Sequence, residues 1–70
     1  MDKAIANMTL QEAWDLAIKR EQEAQALYLA LAEKGTNSGM KELFEFLLKQ
    51  EQGHERRLQD EYDQAFRQEW

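Results

Sequence analysis

Two apolar stripes, each stepping by four and three and separated by a handful of turn residues, constrain this chain more than any other feature. Leu10, Trp14, Ala17, Glu21, Ala24, Tyr28 and Leu31 form the first stripe, and Ala13, Ile18, Leu27 and Ala32 widen it. Met40, Phe44, Leu47, Glu51, His54 and Leu58 form the second. This period is the seam of a helix packed in a bundle. Between the stripes stand Gly35, Thr36, Asn37, Ser38 and Gly39. A link so short makes the two helices antiparallel neighbours.

Local signals place the ends. Thr9-Leu10-Gln11-Glu12 reads as a capping box, with the Thr9 hydroxyl accepting from the Glu12 amide and the Glu12 carboxylate reaching back. The first helix is expected over about 9–34, with Gly35 as a left-handed cap residue. A turn over 35–38 follows, and Asn37 or Ser38 caps a second helix over about 39–67. Residues 1–8 carry no clear periodic signal and read as a flexible amino-terminal segment before a hairpin of 9–70. With no proline, no strand-like alternation and an abundance of Ala, Leu, Glu, Gln and Lys, the class is all-α. Gly53 in the second helix costs about 1 kcal/mol relative to Ala, unless another backbone or a ligand needs the space.

Composition removes several functions. A formal net charge of −5 opposes nucleic-acid binding, because phosphates would be repelled. The absence of cysteine excludes disulfides and thiolate metal sites. No stretch is long and apolar enough to cross a bilayer, so no membrane partner is expected and a cytoplasmic location is the default.

Three ionisable residues occupy seam positions that call for apolar side chains: Glu21, Glu51 and His54. Glu51 and His54 are three apart and project onto one helix face. Glu21 lies fifteen residues before Thr36 and Glu51 fifteen after it, so at roughly 1.5 Å rise per residue both stand at one height. Each has an ordinary structural reading. Glu21 alone is an ion-paired seam residue, His54 a hydrogen-bonded core histidine, and Tyr28 a core residue with its hydroxyl at the edge. Glu23, Glu33, Glu45, Glu55 and Glu61 read as a solvated face. The three seam residues together read as a metal site, because burying several unpaired ionisable groups is costly.

A lone hairpin of this size lacks the core to stand by itself. Two of them, face to face, make a four-helix bundle. Its two-fold axis would gather four carboxylates and two imidazoles, whose charge two divalent cations balance. The oxygen-rich donor set suits iron or manganese better than copper or structural zinc, although zinc competes at such sites. The register also leaves 63–70 overhanging. Phe66 and Trp70 are then expected to fold against Ile5 and Met8 or against a neighbouring chain.

Glu21-Gln22-Glu23-Ala24-Gln25-Ala26-Leu27-Tyr28, followed by Glu51-Gln52-Gly53-His54, resembles the ferritin-like superfamily and in particular its rubrerythrin branch. That branch carries a first-helix Glu with Tyr seven residues on, then ExxH on the second helix. Lys41-Glu42-Leu43-Phe44-Glu45-Phe46-Leu47 is similar as well, although Gly53 stands where relatives usually carry a charged residue. Full-length relatives hold two such helix pairs. This sequence has one and is more similar to the half-length encapsulated ferritins, which complete a di-iron site between subunits and act as ferroxidases. The resemblance implies a homodimer, or a larger even-numbered oligomer, forming a ferritin-like four-helix bundle. It implies Glu21, Glu51 and His54 as metal ligands and catalytic residues, with Glu51 bridging or chelating and Tyr28 orienting a carboxylate. Two iron ions per dimer would then serve Fe(II) oxidation by oxygen or peroxide at a site shared between two subunits. The alternative is a structural or regulatory hairpin that dimerises through the same residues and binds no metal.

Overall fold

The computed structural model of the chain describes residues 3–66. One helical turn, α1 (Lys3–Ala6), precedes two long antiparallel helices, α2 (Leu10–Lys34) and α3 (Ser38–Phe66). No strand occurs among the described residues. The short α1 needs only local bonds: the Met8 amide donates to the Ile5 carbonyl at 3.1 Å just beyond it.

The capping box forms as its residues dictate. The Glu12 amide donates to the Thr9 hydroxyl at 3.1 Å, and the Thr9 amide donates to Glu12 Oε1 at 2.9 Å. Two otherwise orphaned donors are satisfied. The same pair of bonds, the one from the Thr9 backbone foremost, holds the Glu12 carboxyl below its ordinary range.

The other end of α2 corrects the expectation for Gly35. Its backbone is not left-handed but extended, with φ −59° and ψ 137°. Its amide turns back to the Ala32 carbonyl at 3.4 Å, so the helix ends on a tightened turn. Glycine is used here for closeness. A Cβ on Gly35 would stand 3.2 Å from Lys41 Cγ and 3.4 Å from Met40 Cβ. Lys41 Nζ donates to the same Ala32 carbonyl at 3.1 Å, a second donor on this terminal oxygen of α2. Asn37 caps α3 by accepting from the Met40 amide at 2.9 Å.

Contacts at several heights fix one register. Gln11 donates to the Tyr62 hydroxyl at 2.8 Å, Trp14 Nε1 donates to the Leu58 carbonyl at 3.1 Å, and Tyr28 stacks on Phe44 with ring centroids 6.4 Å apart. Phe66 packs edge-on against Trp14 at 5.6 Å and tilts over Tyr62 at 4.8 Å. The overhanging aromatic expected on Ile5, Met8 or a neighbour is thus engaged by α2 itself, while Trp70 lies outside the described residues.

The inner face of α3 is rotated from the one its stripe implied. Phe44, Leu47, Leu48, Glu51, Glu55, Leu58 and Tyr62 are half-buried, while Met40 and His54 are exposed. The large rings of Trp14, Tyr62 and Phe66 set this rotation by packing on one another. Only Ile18 and Ala32 are buried among the described residues, and Leu10, Leu27, Met40 and Leu43 remain open to solvent. Among the described residues no helix is long and apolar enough to cross a membrane.

At Gly53, an added Cβ would meet nothing within 4 Å. Gly53→Ala is therefore expected to raise stability by about 1 kcal/mol, read from urea melts at equal protein concentration. A loss instead would mean that a second chain approaches this backbone closely.

Candidate metal centre

Glu21 projects from the middle of α2, while Glu51 and His54 project one turn apart from α3. The shared register brings all three together. His54 Nδ1 lies 3.6 Å from Glu21 Oε2 and 3.5 Å from Glu51 Oε2. One donor atom from each residue falls within 4.8 Å of the others. The glutamate side chains are 23% and 18% exposed and the imidazole 57%. His54 therefore stands at the lip of the seam and not inside it, because the aromatic packing turns α3 toward Leu48 and Tyr62.

One atom in this group is anomalous. Glu21 Oε2 is buried and has no hydrogen-bond partner. Its separation from His54 Nδ1 exceeds the 2.7–3.2 Å of an ordinary N–H···O bond. A buried carboxylate oxygen left without a partner is costly, and a cation resolves it. Donors bound to one ion at about 2.1 Å sit at most about 4.2 Å apart, so the two separations from His54 suit a common ion, and the group as a whole, within 4.8 Å, needs only a small closure of the glutamates. The residues present fit a divalent metal.

On one side of these three residues lies a polar clasp. Glu55 accepts from Gln22 at 2.8 Å and from Gln25 at 2.6 Å, and Gln25 also reaches the Glu51 carbonyl at 3.5 Å. The two amides, Gln22 the stronger, hold the Glu55 carboxyl below its ordinary range. This corrects the reading of Glu55 as part of a solvated face. The signal was available: Gln25 and Glu55 stand four residues after Glu21 and Glu51, on the same inner faces. Glu61 is exposed. Tyr28 is not drawn into the group. It stacks on Phe44 toward the turn, and its hydroxyl makes no hydrogen bond to Glu21 or Glu51 in the chain.

Because Gln22 and Gln25 meet Glu55 on one flank, the remaining flanks of both helices share the other. That flank carries Ala13, Ala17, Ala24 and Leu31 from α2, with Met40, Leu47 and His54 from α3. The metal-competent atoms thus sit between a closed polar side and an open, largely apolar one.

The chain matches the family described as Rubrerythrin over residues 2–62, a span that includes Glu21, Glu51 and His54. No curated protein and no solved structure matches it.

A pH test follows from the clasp. A carboxyl whose value is lowered by folding stabilises the fold above its unfolded value of 4.5 and loses that contribution as pH falls through its folded value. The melting-temperature advantage of wild type over Glu55→Gln is expected to be level above about pH 5 and to shrink toward pH 3. A difference independent of pH would refute the charge-assisted clasp.

Proposed function

Since the chain belongs to the rubrerythrin family, we propose that it is a di-iron, ferroxidase-type protein whose centre is shared between two copies. The observation that carries this reading is the buried, unpartnered Glu21 Oε2 facing His54 Nδ1 at the level of Glu51. Glu21, Glu51 and His54 are the ligands from each chain. A satisfied structural network would not leave that oxygen alone.

Surface supports the pairing. The chain exposes 5833 Å², whereas a compact folded chain of this mass exposes about 4,600 Å². The excess, about 1,200 Å², is of the size one protomer gives up in a stable dimer. The radius of gyration of 15.4 Å, against about 11 Å for a globular chain of this length, describes the same flat hairpin. Joining two copies along the flank of Ala17, Ala24, Leu31 and Leu47 would bury the apolar side and bring two ligand sets to one level.

Such a centre would hold two iron ions per dimer, with manganese the alternative resident and zinc a competitor. When bound, the metals take up the oxidant and supply electrons, each Fe(II) giving one to oxygen or peroxide. The protein's part is to hold the ligands in one register and to leave coordination positions open. Tyr28, free of the carboxylates of its own chain, is placed to orient one across the interface. A cytoplasmic location is part of this proposal.

Two measurements test it. Sedimentation of the folded protein is expected to give an even multiple of 8.3 kDa, and Fe(II) added in air should yield Fe(III) faster than buffer alone, at one iron per chain. Replacing Glu21, Glu51 and His54 together by Leu should abolish uptake while raising the stability of the metal-free protein by about 1–4 kcal/mol. A wild type that melts identically with and without Fe(II) or Mn(II) would sink the metal reading, because a ligand bound to the native state must stabilise it.

A further inference from the structure

Gln25 occupies a place that apolar packing alone would give to leucine. It lies half-buried on the inner face of α2, four residues after Glu21 and seven after the buried Ile18. Its amide donates to Glu55 Oε1 at 2.6 Å and reaches the Glu51 carbonyl at 3.5 Å. Gln22 holds the other Glu55 oxygen at 2.8 Å. Helical side chains lean toward the amino-terminal end of their own helix. In an antiparallel pair, Gln25 therefore leans back to the level of Glu21, and Glu55 to that of Glu51. The contacts that fix the register stand elsewhere. Trp14 lies seven residues before Glu21 and Tyr28 seven after it, each about 10 Å away along α2. Midway between them the seam is polar, and Glu21 Oε2 has no partner. The bonds from Gln22 and Gln25 to α3 are what join the helices at that height.

We propose that Gln25, anchored by Glu55, is a positioning residue for the metal centre, holding the turn of α3 that carries Glu51 at a set spacing from Glu21. This rests on the metal-centre reading above. In this role neither Gln25 nor Glu55 binds the ion. The charge-assisted bond to Glu55 fixes the Gln25 side chain, and the fixed amide bears on the backbone of Glu51 itself. One turn of α2 joins Gln25 to Glu21, so the two glutamate backbones are linked by a short path that does not pass through the ion. Donors ordered in this way before the ion arrives leave less ordering for binding to bring about. Partners behind a ligand set act on metal affinity by the same means. A leucine at Gln25 would bury better between the helices and would supply none of this hold.

The test joins thermal melts of the metal-free protein to anaerobic titration with Co(II), whose visible bands report the arrangement of its donors. Wild type is compared at equal concentration with Gln25→Leu, with Gln25→Leu/Glu55→Leu and with Glu55→Gln. Both leucine variants are expected to bind Co(II) about 10- to 100-fold more weakly and to change the shape of its bands. The double variant removes both partners of the bond, so its metal-free melting temperature should match wild type or exceed it. Glu55→Gln keeps an acceptor for the Gln25 amide and should retain the wild-type bands, with an affinity closer to wild type than either leucine variant. Wild-type affinity and bands in the leucine variants would overturn the positioning role while leaving the centre intact. So would an affinity that falls only where the melting temperature falls with it, since loss of fold would then explain it. A wild type that takes up no Co(II) would overturn the centre and the positioning role together.

Discussion

The Trp14 indole donates to the Leu58 carbonyl near the open end of the hairpin, and Tyr28 lies over Phe44 near the turn. Between these two fixed points, α2 cannot slide along α3 without breaking one of them. A slip of one turn, about 5.4 Å, would carry Glu51 past Glu21 and leave His54 facing Ala17 or Ala24. The three-residue group exists because the aromatic contacts on either side of it hold the register. The tight closure at Gly35, with Lys41 bonded to Ala32, sets the starting point of the same count.

The hairpin is asymmetric across its width, and that asymmetry gives it chemical direction. One flank is closed by amide-to-carboxylate bonds among Gln22, Gln25 and Glu55. These bonds are charge-assisted and short, so they hold the two backbones together beside Glu21, Glu51 and His54. The opposite flank offers half-buried small and aliphatic side chains together with the exposed Met40 and His54. A helix pair with only Ile18 and Ala32 buried gains too little from apolar burial to offset chain entropy by itself. The open flank is thus both where stability is lacking and where His54 reaches solvent.

Folding and ion binding would be coupled in such a molecule. Two half-buried carboxylates at one level repel each other and keep one oxygen without a partner. The cost is carried by the empty fold and removed by a bound cation, so metal would stabilise the hairpin more than its contact count alone would indicate. The Glu55 carboxylate is already engaged by two amides.

Much of this was legible in the sequence because helix and register obey short-range rules. The four-three stripes, the Thr9–Glu12 box and the short link yield two antiparallel helices. Counting outward from Thr36 brings Glu21, Glu51 and His54 to one level, since the rise per residue is constant. Other features needed the packed chain. Gly35 is extended and not left-handed, and the closeness of Met40 and Lys41 to it is a contact that no local propensity encodes. His54 sits at the lip, and Glu55 takes an inner place, because the rings of Trp14, Tyr62 and Phe66 rotate α3 by a fraction of a turn. Periodicity fixes which residues share a face. The angle at which that face meets its neighbour is set by the volumes of the side chains between them, and only the tertiary structure brings those together.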